Sequence, residues 1–221
     1  MITQDQKQKQ DTGVAELGKM RANEFLEGPH DPYQYKAIFF AGSPGAGKTY
    51  VARQLAGVFQ GLKQVNMDII FKHLMTKKNL SWKMPPEEEP EREIQRQRSK
   101  ELVSKQQQSL SDSGLGLLVD STGRIYETVE KIKNSLEDKG YETTMVFVNT
   151  DLQTALRRNK QRERQLPDDL IHKNFKVIEQ NLGRFQRLFN DVHVIDNSES
   201  AQNTMPEQLE RVEKDIRKFL Q

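Results

Sequence analysis

The clearest chemistry in this chain lies in one run of residues, Gly42-Ser43-Pro44-Gly45-Ala46-Gly47-Lys48-Thr49. The spacing is that of a phosphate-binding loop, G-x-x-x-x-G-K-[ST]. Glycines at these places let successive backbone N–H groups turn inward around phosphate oxygens. A helix that follows adds its positive N-terminal end. Lys48 would reach the β- and γ-phosphates, and the Thr49 hydroxyl would hold Mg²⁺, which takes few protein ligands and keeps several waters. The run therefore predicts a nucleoside triphosphate, ATP or GTP, with magnesium. It does not specify the reaction.

Three further groups decide which reaction is available. A kinase needs a base near the acceptor hydroxyl, an acidic group near the metal, and cations over the transferring phosphoryl. Asp68 follows the apolar segment Leu62–Met67. Residues just past a parallel strand face the ligand crevice, so Asp68 can serve as base or acceptor ligand. It also suits an N-cap for a helix over 69–78, and the two roles are compatible. Asp120 ends Leu117-Leu-Val-Asp120 and is followed by Ser121-Thr122-Gly123-Arg124. It reads as a magnesium-water ligand or, equally, as part of a helix cap with Thr122. Ser121 stands where a hydrolytic motor carries a second acid. The stretch Arg157-Arg158-Asn-Lys160-Gln-Arg162-Glu-Arg164 holds five cations in eight residues. It reads as a mobile lid that closes arginines over phosphates, against the alternative of a solvated basic face.

These residues need a scaffold, and the chain alternates accordingly. Lys36–Ala41 is an apolar run ahead of the loop and reads as a buried strand. One helix is expected over Thr49–Gln60, from Val51, Leu55 and Val58, with Gly61 as its stop. A strand over 62–67, a helix over 68–78, strands over 115–120 and 142–148, and helices over 125–139 and 152–161 follow. A long helix starts at Pro167 and runs to about 189. A strand over 192–195 and a helix over 206–220 close the chain. Such alternation implies an α/β fold with a parallel sheet and helices on both faces. Residues 79–113 interrupt the rhythm. Pro85–Pro90 reads as a charged break, and 91–108 as a helix polar nearly all round, so the segment is taken as a helical insertion. The expected organisation is an N-terminal extension over 1–34, with a short helix over 13–27 and a turn at Gly28-Pro29, and a P-loop domain over 35–221.

Composition narrows the class. The chain has 221 residues, 34 % hydrophobic and 30 % charged, with 34 basic against 32 acidic side chains. A global basic field for nucleic acid is not indicated. There are no cysteines, which excludes disulfides, thiolate metal sites and a cysteine nucleophile. No stretch approaches the roughly 18 apolar residues of a membrane span. The N-terminus lacks the apolar core of a secretory signal, so a cytoplasmic protein is expected, with no membrane partner.

The order of P-loop, strand–Asp68, strand–Asp120-x-Thr122-x-Arg124 and an arginine-rich segment ending in Pro167 resembles the zeta toxin and polynucleotide kinase group of P-loop kinases. The likeness spans roughly residues 35–197. It implies a five-stranded parallel sheet of the nucleoside-kinase type. It also implies Lys48 and Thr49 on phosphates and metal, Asp68 as general base, Asp120 and Thr122 near the acceptor, and Arg124 and Arg162 near the transferred phosphoryl, assisted by Arg158. Asn197, after the last strand, would approach the nucleotide base. Polynucleotide kinases of this group carry an arginine three residues after the base, where this chain has Phe71.

Other residues read as structural. His30, His73, His172 and His193 have no metal-ligand spacing. Trp82 would anchor the insertion rather than stack on a base. Arg92, Arg96, Arg98 and Lys100 are interleaved with glutamates and read as a solvated face. The leading expectation is an ATP-dependent kinase acting on a hydroxyl of a nucleic acid, nucleotide or nucleotide sugar. An NTPase coupled to assembly, or a nucleotide-binding scaffold, are the other classes.

Overall fold

A computed structural model describes residues 31–162 and 165–221, and the chain divides after Pro32. The helix expected over 13–27, the Gly28-Pro29 turn, His30 and Arg164 lie outside the described residues.

Strand β1 (Lys36–Gly42) enters the P-loop, and helices α1 (Lys48–Gln54) and α2 (Ala56–Phe59) follow it. Next come β2 (Lys63–Val65), α3 (Met67–Lys77), a 3₁₀ turn over Pro86–Glu88 and the long α4 (Glu89–Asp112). Then β3 (Leu117–Asp120), α5 (Tyr126–Glu137), β4 (Glu142–Asn149), α6 (Leu152–Lys160) and α7 (Asp168–Leu188) alternate. Strand β5 (Val192–Asp196), a 3₁₀ segment over Glu199–Thr204 and α8 (Met205–Phe219) complete the unit. All strand pairings are parallel, in the order β2-β3-β1-β4-β5.

Successive β1 side chains go to opposite faces, as strand geometry requires. Ile38 and Phe40 pack with Val51, Leu55, Val146, Val148, Val212 and Ile216. Ala37, Phe39 and Ala41 pack with Val119, Val129, Leu136, Phe147, Ile178 and Phe185 on the other side. With apolar cores on both faces, the strands are near-continuous apolar runs rather than alternating ones. Register then places the chemistry. Phe40 pairs with Asp120 and Val65 with Val119, so Gly42, Asn66 and Asp120 come out at one edge of the sheet, beyond the carboxyl ends of neighbouring strands.

Three local expectations are revised. The helix over 49–60 is two helices, broken at Leu55 (φ −92°, ψ 11°), whose side chain is anchored in the core at 1 % exposure. Pro90 does not break the chain. It lies in the first turn of α4, where its missing N–H has no helical partner to lose. The polar segment after it is not a uniformly solvated face. Arg92 is buried, pairs with Glu89 and donates to the Pro85 carbonyl at 3.0 Å. The Arg96 guanidinium lies 5.1 Å from the centre of the Phe71 ring while pairing with Glu93 at 3.1 Å. Arg98 and Lys100 are exposed.

Helix α4 thus lies along α3, with cationic stems covering an aromatic ring. Phe71 is 1 % exposed, and Trp82 packs beside it at 6.2 Å between ring centres. That is why an apolar residue occupies position 71: the position faces α4. Phe71→Ala should cost about 3–5 kcal/mol of stability, as emptying a buried aromatic site does. The check is a denaturant melt followed by the fluorescence of Trp82, the only tryptophan. A midpoint equal to that of the wild type would show that α4 does not rest on this ring.

Candidate active site

Backbone geometry makes the P-loop. Gly45 and Gly47 both have φ +85°, a left-handed conformation that glycine adopts without penalty. Space demands glycine too. A Cβ on Gly45 would lie 2.7 Å from the Ala155 carbonyl oxygen of α6, and one on Gly47 would lie 2.2 Å from Asn197 Nδ2. The loop is therefore held from outside by α6 and by the turn after β5.

Two side chains do the holding. Asn197 Nδ2 donates to the Ala46 carbonyl at 2.7 Å. Arg158 donates through Nη1 to Gly45 O at 3.3 Å and through Nη2 to Asn197 O at 3.0 Å. Gln202 Nε2 donates to Asn197 Oδ1 at 3.1 Å, and Asn197 is 4 % exposed. These bonds correct the expectation that Asn197 approaches the nucleotide base. Its amide is buried, and both polar ends are engaged beneath the loop. Arg158 likewise braces the loop instead of hanging free in a lid.

On the open side, Lys48 Nζ donates to Gly42 O at 3.3 Å. Thr49 is exposed at the start of α1. Asp120 lies across from them. Burial pushes its carboxyl above the ordinary carboxylate range; the Lys48 charge lowers it, and the Asp68 charge raises it again. Those couplings put Lys48 and Asp68 each within electrostatic reach of Asp120. Asp68 is exposed in the first turn of α3. It is not the N-cap. Asn66 is, with Oδ1 accepting from the N–H groups of Asp68 at 2.8 Å and Ile69 at 3.3 Å. The alternative role weighed for Asp68 thus belongs to its neighbour, and the Asp68 carboxylate is not spent on a cap.

Thr122 and Arg124 sit on the turn after β3, both exposed. Thr122 Oγ1 accepts weakly from Arg124 N at 3.4 Å, and Ser121 Oγ accepts from Gly123 N at 2.9 Å. Asn181 of α7, 4 % exposed, fixes this turn by donating to the carbonyls of Gly123 at 2.9 Å and Arg124 at 3.0 Å. The arginine-rich segment is not one loop. Arg157, Arg158 and Lys160 are part of α6, and Arg157 pairs with Glu199. Arg162 is exposed in the bend that follows. Among the described residues, the side chains of Arg124 and Arg162 have no hydrogen-bond or ion-pair partner. Asn159 closes the bend, exchanging bonds with Leu166 at 2.8 and 2.9 Å.

Asn66, Asn159 and Asn181 are the site residues that sequence reasoning missed. An asparagine carries no motif by itself. Asn66 lies inside the strand expected over 62–67, and its cap position emerges only because β2 ends at Val65 and α3 begins at Met67.

The Zeta toxin family profile matches residues 23–204. The chain belongs to the Zeta toxin family. A candidate kinase of Chloroflexus aurantiacus is 15 % identical, with 87 % of this chain and 100 % of that one aligned and a TM-score of 0.57. A structure from the PezAT toxin–antitoxin system of Streptococcus pneumoniae is 17 % identical over 95 % of this chain and 96 % of that one, with a TM-score of 0.55. The AvrRxo1-ORF1:ORF2 complex with ATP is 16 % identical over 74 % of this chain and 55 % of that one, with a TM-score of 0.57. Among curated proteins none matches the sequence. Family membership together with the P-loop makes this zeta toxin relative an ATP-dependent P-loop kinase. No helix among the described residues is long and apolar enough to cross a membrane.

The raised Asp120 carboxyl has a consequence for stability. A carboxylate whose folded pKa lies above its unfolded one destabilises the fold once it ionises, at pH values above the ordinary carboxylate range. Asp120→Asn should therefore melt higher than wild type at pH 7.5 by thermal denaturation, while phosphoryl transfer falls about tenfold or more. A lower melting temperature would show that the ionised group is stabilised in the fold.

Proposed function

We propose that the protein transfers the γ-phosphoryl of ATP in line to a hydroxyl of a nucleotide, a nucleotide sugar or a nucleic acid. The observation that carries this reading is the coupling of Asp120, half-buried at the end of β3, to Lys48 and to the exposed Asp68. The exposed acid is free to meet an acceptor, and the half-buried one is suited to a metal.

In this reading the P-loop, Gly42 to Thr49, surrounds the phosphates, and Lys48 leaves Gly42 O to contact the β- and γ-oxygens. Asp68 accepts the proton of the acceptor hydroxyl. The acceptor oxygen bonds to the γ-phosphorus, the bond to the β–γ bridging oxygen breaks, and ADP leaves. Arg124 and Arg162, both exposed, would swing onto the transferring oxygens. Arg158 assists from beneath by keeping the loop in shape. Thr122 and Arg124 line the acceptor side with Asp68 and Asp120.

The residues present fit magnesium. The donors are a hydroxyl, Thr49, and a carboxylate, Asp120, which are hard oxygen ligands. Burial disfavours the Asp120 charge, and Lys48 offsets it only in part, so a dication would give that carboxylate a further partner. Among the described residues no group of three acidic or histidine side chains forms a metal cage, as suits an ion that completes its shell with phosphate and water. Bound there, magnesium would neutralise charge on the phosphate oxygens.

The Zeta toxin family and a neighbour solved with ATP support the donor. Related folds come from a toxin–antitoxin system and an RNA repair complex, so both nucleotide-sugar and nucleic-acid acceptors belong in the test. γ-Labelled ATP with Mg²⁺ is offered to 5′-hydroxyl oligonucleotides, hydroxymethyluracil DNA, nucleosides, nucleotides and nucleotide sugars. Label should enter one class. Lys48→Ala should reduce it about 10²–10³-fold. Asp68→Asn should reduce it about 10²–10⁴-fold with ATP affinity kept. Transfer retained in Asp68→Asn would remove it as base, and labelled free phosphate alone would make the protein an NTPase.

A further inference from the structure

One side chain joins the two acids of the site, and no motif assigns it a role. Asn66 lies between β2 and α3. Its Oδ1 caps α3 by accepting from the N–H groups of Asp68 and Ile69. Its Nδ2 donates to Asp120 Oδ2 at 2.6 Å. The register explains the reach. Val65, the last residue of β2, pairs with Val119, so Asn66 just past that strand and Asp120 at the end of β3 emerge side by side.

We propose that Asn66 is a positioning residue that sets the two carboxylates of the kinase site against each other. Its acceptor end fixes the first turn of α3 and hence the direction of Asp68. Its donor end fixes the rotamer of Asp120 and leaves the other carboxylate oxygen free. An amide is the one small side chain that does both. Aspartate and serine cap helices comparably, but aspartate has no donor when ionised, and serine is too short to span to Asp120. The like charges of Asp68 and Asp120 repel, and a neutral amide holds them in place without cancelling either charge. The inference rests on the reading that Asp68 and Asp120 serve phosphoryl transfer.

The separation of cap from clamp supplies the test. Asn66→Ser and Asn66→Asp keep the cap and lose the donation to Asp120, whereas Asn66→Ala loses both. Each variant is assayed with the acceptor that the wild-type chain labels, and each is melted with and without Mg·ATP. Binding of a fluorescent ATP analogue is measured in parallel. Asn66→Ser should melt within a degree or two of wild type and bind the analogue with unchanged affinity. Its kcat should fall about ten- to a hundredfold, the usual cost of losing an outer-shell partner, with KM for ATP unchanged. Asn66→Asp should fall at least as far, because it sets a third carboxylate against Asp120. Wild-type kcat in Asn66→Ser or Asn66→Asp, with Asp68→Asn inactive, would overturn the positioning role and leave the kinase reading intact. Activity retained in Asp68→Asn would sink that reading instead. If kcat falls only in step with melting temperature across the three variants, Asn66 is a structural cap and the proposal fails.

Discussion

The carbonyls of Gly45 and Ala46 accept hydrogen bonds from Arg158 and Asn197, and the rest of the site depends on that. A loop that turns its N–H groups toward an anion leaves its carbonyls to find donors elsewhere, because a buried backbone acceptor without a partner costs free energy comparable to a lost hydrogen bond. Here the donors come from α6 and from the turn after β5. The same bonds set how closely those elements approach, and Gly45 and Gly47 are the residues that permit the contact. Loop shape, helix placement and the end of the last strand are thus one constraint. Lys48 leaves the loop in a fixed direction because its neighbours cannot move independently.

Across the crevice the design is electrostatic. The Asp68 charge stands close enough to raise the proton affinity of Asp120, with Lys48 as the nearby counter-charge and Asn66 as a neutral donor to it. Such an arrangement is poor for stability and good for binding a cation with its phosphates, the usual trade at a functional site. The β3 turn is held apart from this by Asn181, which fixes the backbone of Gly123 and Arg124 while the Arg124 side chain stays exposed. A hydrogen-bonded backbone beside an exposed cation recurs at Asn159, which closes the bend next to Arg162.

How much of this was legible in the sequence depends on how local each signal is. The P-loop, the acid at the end of β3 and the parallel sheet follow from short-range patterns of glycine, apolar run and acid, and the fold matches them; Asp68, expected directly after a strand, lies in the first turn of α3, beyond the end of β2 at Val65. The errors are tertiary. Arg92 and Arg96 sit in a polar run and look solvated, yet the Pro85 carbonyl, 7 residues from Arg92, and the Phe71 ring, 25 residues from Arg96, give them partners. Asn197 was expected at the nucleotide, because the sequence shows that it follows a strand and not that its amide turns down onto Ala46. Asp68 suits a cap by residue type as well as a base, and the hydrogen bonds from the N–H groups of Asp68 and Ile69 give the cap to Asn66 instead.

The sequence distance between the P-loop and its struts has a consequence for the making of the protein. Ala46 and Asn197 are 151 residues apart, and Gly45 and Arg158 are 113 apart. A growing chain on the ribosome has the whole phosphate-binding motif long before it has either donor. Contacts of such separation close late, after the loop entropy between them has been overcome. A nascent chain that ends before Asn197 therefore carries the nucleotide motif without the buttress that shapes it, and competence to hold ATP arrives only once the last strand and its turn have been translated and docked.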